Sequence, residues 1–147
     1  MRTVRITTAV VAVLPRSVYC GVLHPLFHRR KVTFDDLANH PFVAPPAQPG
    51  GAIGDGWPAE RPRRVGMFVD QIRVGLELCA ALPMLAVLPD VLARRRRGEL
   101  RRLPIAGIAP GSVYALHRRT LGRKRSLAGE LVHRIQAAQS TATRPAP

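Results

Sequence analysis

The apolar positions fall into short runs broken by proline, glycine and charge, and the period of each run predicts an element. Residues 4–13 concentrate Val4, Ile6, Thr7, Thr8, Val10, Val11 and Val13, which predicts a buried strand, and Ser17–Val22 predicts a second. Thr33 followed three residues later by Asp36 marks a helix start, so a short helical turn is expected over Thr33–Asn39. Pro41–Ala44 reads as a strand, and residues 45–62, rich in Pro and Gly, as a loop around Trp57. Arg64–Val69 predicts a strand. Asp70 then stands where it would cap a helix over Gln71–Leu82, in which Ile72, Leu76 and Cys79 recur near helical spacing until Pro83 stops it. Met84–Leu88 is an unbroken apolar run, the pattern of a strand covered on both faces. Pro89-Asp90 opens a further helix reaching to Arg97, Leu100–Pro104 and Val113–Arg118 read as strands, and Ser126–Ala138 as an amphipathic closing helix with Leu127, Leu131 and Ile135 on one side. Strands and helices in this order predict an α/β domain with a largely parallel, covered sheet over residues 1–138, and residues 139–147, QSTATRPAP, a disordered tail.

A length of 147 residues with 46% apolar side chains allows one modest core. The net charge of +14 is carried almost wholly by arginine, lysine occurring only at Lys31 and Lys124. Such a charge raises affinity for any polyanion, and it equally fits an arginine-rich codon bias. Two cysteines, Cys20 and Cys79, are too few for a disulfide framework or a structural zinc site and suit a reducing cytoplasm. The start, MRTVRITTAVVAVL, has the outline of a secretory signal, yet PRSVYC offers no small-x-small cleavage site and the β-branched residues suit a strand better. No run approaches the ~20 apolar residues of a membrane span.

The stretch HPLFHRRKVTFDDLANHPFV, residues 24–43, holds three histidines and two aspartates. His24 and His28 are spaced for one metal on a helix, but Pro25 lies between them, so a His24-Pro25 turn, a solvated His28-Arg29-Arg30 face and no metal site are expected. Asp35 and Asp36 read as helix-cap residues. The chain has no Gly-x-Ser-x-Gly, and its glycines at 50, 51, 54 and 56 do not follow a strand and open a helix as a phosphate loop must. Cys20 and Cys79 fall on apolar faces, as small buried hydrophobes do. No catalytic residue and no cofactor site emerges, and the chain reads as a non-enzyme. Arg94–Arg97 with Arg101 and Arg102 could contact nucleic-acid phosphates. Without interleaved aromatics or a recognition helix they read rather as a solvated face complementing a helix dipole.

Four segments in order resemble the effector-binding domain of LysR-type transcriptional regulators. They are VYCGVLHPLFHRRKVTFDDLANHPFV, VDQIRVGLELCAALPMLAVLPDVLARRRRGEL, LRRLPI and VYALHRRTL with a final helix, together spanning residues 16–138. Where the family has glycines after the helix, this chain has Ala81-Leu82-Pro83-Met84. The resemblance implies a partial type II periplasmic-binding-protein-like fold: the second subdomain plus the returning C-terminal part of the first. It also implies a truncated regulator lacking the winged helix-turn-helix and the first half of the effector domain.

In functional terms the resemblance implies a bacterial, cytoplasmic sensor of transcription control that binds a small-molecule effector. It would reach DNA only through the missing helix-turn-helix domain, and homo-oligomerisation is left open, with no membrane partner. The strand ends Phe42, Val43, Ala44 and Pro45, and Val69, Asp70 and Gln71, are the expected effector-binding residues, because ligands of open α/β sheets sit beyond the carboxyl ends of strands. A solute-binding protein of the same fold, or a basic non-specific nucleic-acid binder, is the alternative. Met84–Leu88 is expected to lack flanking strands, which would leave the chain poorly soluble or self-associating.

Overall fold

The computed structural model describes residues 5–119 and 127–142. Along them run β1 (Arg5–Leu14), β2 (Arg16–Gly21), α1 (Phe34–Ala38), β3 (Pro41–Ala44), β4 (Arg64–Phe68), α2 (Ile72–Ala81), β5 (Leu85–Pro89), α3 (Asp90–Ala93) with a 3-10 turn over Arg94–Arg96, β6 (Leu100–Arg102), β7 (Gly111–Arg119) and α4 (Leu127–Ala142). They divide into two compact units, one of residues 14–111 and one of residues 1–13 with 112–147.

The larger unit is built on a five-stranded sheet in the order β4-β3-β5-β2-β6. β3 pairs in parallel with β4 and β5, whereas β2 pairs antiparallel with β5 and β6, placing Tyr19 opposite Ala86 and Arg102. The sheet is therefore mixed, not largely parallel as the element order suggested. β2 is the strand that runs against its neighbours β5 and β6. β5 is buried at every position, as its unbroken apolar run required. Its flanks, however, are β3 and β2 of this same chain. The expected loss of neighbours at this strand is thus overturned, because local pattern gives burial but not pairing partners.

Strand alternation splits the interior in two. Val18, Cys20, Leu85 and Val87 point to one face with Leu37, Phe42 and Leu103, under Phe34 and Trp57. Tyr19, Ala86 and Leu88 point to the other with Val43, Leu76, Cys79 and Ala93, under α2 and α3. α2 lies so near β2 that a Cβ on Gly21 would stand 2.5 Å from the carbonyl oxygen of Cys79. Thr33 caps α1 as expected: its hydroxyl accepts from Asp36 N–H, while an Asp36 carboxylate oxygen accepts from Thr33 N–H at 2.8 Å. Leu82, held extended by the following Pro83, ends α2.

In the smaller unit β1 and β7 form a two-stranded sheet. Only part of β1 is buried: Val11 is, while Val10 and Val13 are exposed, which corrects the expectation of a strand buried throughout. α4 runs on to Ala142, four residues into the segment expected to be a tail, and residues 143–147 lie outside the described residues. Its side-chain amide at Gln136 donates to Val10 O at 2.7 Å. Leu127 and Leu131 of the expected apolar side are 91% and 59% exposed.

Candidate functional site at the strand ends of the larger unit

β3 and β4 run in parallel, so their carboxyl ends open on the same side, where the chain leaves β4 toward α2. Val69 N–H donates to Ala44 O at 2.9 Å and ties the two exits together. Beyond them lies a cavity of about 210 Å³. Val43, Ala44, Pro45, Val69, Ile72 and Leu88 give it apolar walls, and Arg16, Asp55 and Asp70 supply charge. Gly75 of α2, against Val69 and Val43, keeps one wall low.

Five of the residues expected from the sequence, Val43, Ala44, Pro45, Val69 and Asp70, therefore line one cavity. Phe42 does not. It is fully buried on the opposite face of the sheet, edge-on to Trp57 at 4.9 Å between ring centres. Successive residues of a strand point to opposite faces, so Phe42 and Val43 cannot share a pocket wall. Gln71 is also outside the cavity lining: it is the N-cap of α2, and its side chain makes no capping bond. The cap was expected at Asp70, one residue early. Asp70 is instead exposed and faces the cavity.

Two charged residues of the site have no local sequence signal. Arg16, at the start of β2, reaches across the sheet end and donates to Gly54 O at 3.1 Å. Asp55 is held by a two-pronged pair with Arg63, at 2.7 and 3.0 Å, with both side chains almost wholly buried. The Arg63 guanidinium also lies over the rings of Phe42 and Trp57. With Asp55 committed to Arg63, the cavity presents one guanidinium at Arg16 and, at Asp70, one carboxylate that forms no ion pair among the described residues. The opposite charges of Asp55 and Arg63 within one loop are the only hint the sequence holds of this arrangement.

The histidines do not assemble as a pair at 24 and 28. His24 is buried with its ring 4.5 Å from that of His40, while His28 is exposed and stacks edge-on with Phe27. His24 Nδ1 accepts from Leu26 N–H, so the ring proton sits on Nε2, which has no partner among the described residues. Burial, with a smaller contribution from the charge of His40, lowers its pKa to about 4. Among the described residues no three His, Cys, Asp or Glu side chains gather as a metal would require. Burial also raises the thiols of Cys20 to about 11 and of Cys79 to about 12, so neither is a thiolate near neutrality. Of the arginine run, Arg96 pairs with Glu77 and Glu99 at 2.6 and 2.7 Å. Among the described residues no helix is long and apolar enough to cross a membrane.

Comparison with known proteins fits this architecture. Residues 5–139 match the family model described as the LysR substrate binding domain. Among solved structures, the effector domain of AmpR from Pseudomonas aeruginosa superposes with a TM-score of 0.64 at 22% identity, over 95% of this chain and 68% of that one. The regulatory domain of CcmR from Synechocystis, solved in complex with 2-PG, gives 0.64 at 16% identity over 97% and 70%. That of MetR from N. meningitidis gives 0.62 at 15% identity over 95% and 66%. The chain thus spans about two thirds of the length of these regulatory domains. No curated protein matches the sequence. The strand order, the cavity beyond parallel strand ends and the match over nearly the whole chain share one explanation, a periplasmic-binding-protein-like fold: the chain belongs to the family of LysR substrate-binding domains.

Proposed function

We propose that this chain is the effector-sensing portion of a LysR-type transcriptional regulator working in the cytoplasm, and that the cavity beyond β3 and β4 holds part of a small metabolite. The observation that carries this reading is the cavity itself, with five residues from two strand exits and the start of α2 converging on it. Its apolar walls bury the body of a ligand, and Arg16 with Asp70 sets the ligand's polar ends. This is the usual division of labour in small-molecule sites. Such a domain performs no bond chemistry. It converts ligand binding into a change of position, and contact with DNA belongs to a helix-turn-helix domain elsewhere in the regulator.

The test is amide-resolved NMR of the chain titrated with a panel of small organic acids and amino acids. A ligand of this site shifts the amides of Val43, Ala44, Val69 and Asp70, and Ala44→Trp, which fills the cavity, abolishes the response. Saturable shifts confined to other residues, or unchanged by Ala44→Trp, would refute the assignment.

A further inference from the structure

A second cavity, of about 260 Å³, lies on the face of the sheet covered by α3 and shares no lining residue with the first. Arg94, Arg97 and Arg102 line it, with Tyr19, Asp90 and Leu100 at its base. Three features of the backbone bring these arginines together. Arg94 begins a 3-10 turn, in which residues three apart eclipse, so Arg94 and Arg97 share a side. Arg96 faces away, clamped by Glu77 and Glu99. Gly98, at φ +100°, then turns the chain back into β6, which carries Arg102 opposite Tyr19.

The arginines of this cavity are pre-set but electrostatically unsatisfied. Arg102 is fixed by its Nε–H, which donates to the Oγ of buried Ser17 at 2.7 Å, and its terminal nitrogens make no hydrogen bond among the described residues. Among the described residues none of Arg94, Arg97 and Arg102 forms an ion pair. The one carboxylate at the base, Asp90, accepts from the Tyr19 hydroxyl at 3.0 Å. Burial, with the hydrogen bond to Asp90, pushes the Tyr19 pKa up to about 12, so the ring stays a neutral donor; the charges of Arg102 and Arg94 are near enough to pull the other way. Three guanidiniums against one carboxylate leave a surplus of two positive charges around the pocket.

We infer that this cavity is a binding site for the terminal phosphate group of a small molecule. A dianion matches the surplus charge, and the planar fork of arginine suits tetrahedral oxyanions. Buried Tyr19, Asp90 and Leu100 stand beside the three exposed arginines. The surplus of two charges favours a terminal phosphate, a dianion, over a diester, which carries one charge.

The experiment titrates the intact chain with pyrophosphate and with inorganic phosphate at constant ionic strength, following the amides of Tyr19, Ala93 and Leu100. Saturable shifts are expected, weakened about 10-fold or more by Arg97→Gln and by Arg102→Gln, since each removes a charge-assisted hydrogen bond. Arg95→Gln removes the same charge from the same run but lies outside the cavity, so its affinity should stay within about twofold. Thermal melts check that each variant is folded. Equal weakening by Arg95→Gln would reduce the effect to diffuse charge and overturn the site. So would duplex DNA or dimethyl phosphate competing as well as pyrophosphate, or no saturable shift at all.

Discussion

Arg63 is enclosed by the Asp55 carboxylate and the faces of Phe42 and Trp57, and this one side chain fastens the proline-rich loop to the sheet. Removing one partner of a buried pair strands the other charge away from water. Asp55→Asn should therefore destabilise the chain by about 3–5 kcal/mol, seen as a lower urea midpoint with an unchanged slope. Trp57 fluorescence reports on the same loop, because its indole N–H donates to Arg61 O at 2.8 Å. His24 gives a second prediction. Its folded pKa, about 4, lies below the 6.5 of an unfolded chain, so the unfolded state binds the proton first. The stability this neutral ring confers is complete above pH 6.5 and is lost as pH falls toward 4. Urea midpoints should drop between pH 7 and 5, and His24→Asn should flatten that slope. His40, also lowered by burial, sits against it and contributes in the same direction.

At the scale of elements, the contact between β2 and α2 leaves no room for a side chain at Gly21. A methyl group on Gly21 would meet the carbonyl oxygens of Cys79 and Ala80, which belong to helix backbone and cannot swing aside. Gly21→Ala is expected to cost about 1–3 kcal/mol by overpacking, measured by chemical denaturation, with loss of amide-exchange protection concentrated in α2. The Thr33–Asp36 cap of α1 shows how local chemistry can be read without tertiary information: both partners lie within one turn. The α2 cap shows the opposite. Asp70 has the better side chain for the position, but the strand exit hydrogen-bonded through Val69 carries the helix start on to Gln71. Of the expected site, Val43, Ala44, Pro45, Val69 and Asp70 were legible because strand ends gather by rule, while Phe42 failed on alternation and Arg16 on distance along the chain.

For the whole molecule, charge and apolar exposure act against each other. In the unit of β1, β7 and α4, Leu116 is 71% exposed, and Tyr114, Leu127 and Leu131 are exposed as well. Apolar side chains at this density favour association, while the net charge of +14 opposes it at low salt. Raising ionic strength screens the repulsion and not the apolar attraction. Sedimentation velocity should accordingly show self-association that grows with salt and with protein concentration. Leu116→Lys with Leu131→Lys should suppress it without lowering the melting temperature. A species that stays monomeric at high salt would remove the basis for this expectation.

The sequence by itself determined what one short segment can dictate. That covers the buried strand expected at Met84–Leu88 and found one residue on, the cap at Thr33, the helix stop at Pro83 and the order of motifs that marks the family. These depend on side chains within a few residues of one another, where periodicity and capping chemistry act directly. The tertiary structure alone decided which strands are neighbours, that β2 runs antiparallel to β5, that Arg63 neutralises Asp55 in the interior, and that Arg94, Arg97 and Arg102 meet over Tyr19. Each of these is completed by a partner whose approach is set by packing of the whole sheet: β5 for β2, the rings of Phe42 and Trp57 for Arg63, and Arg102 on β6 for Arg94 and Arg97.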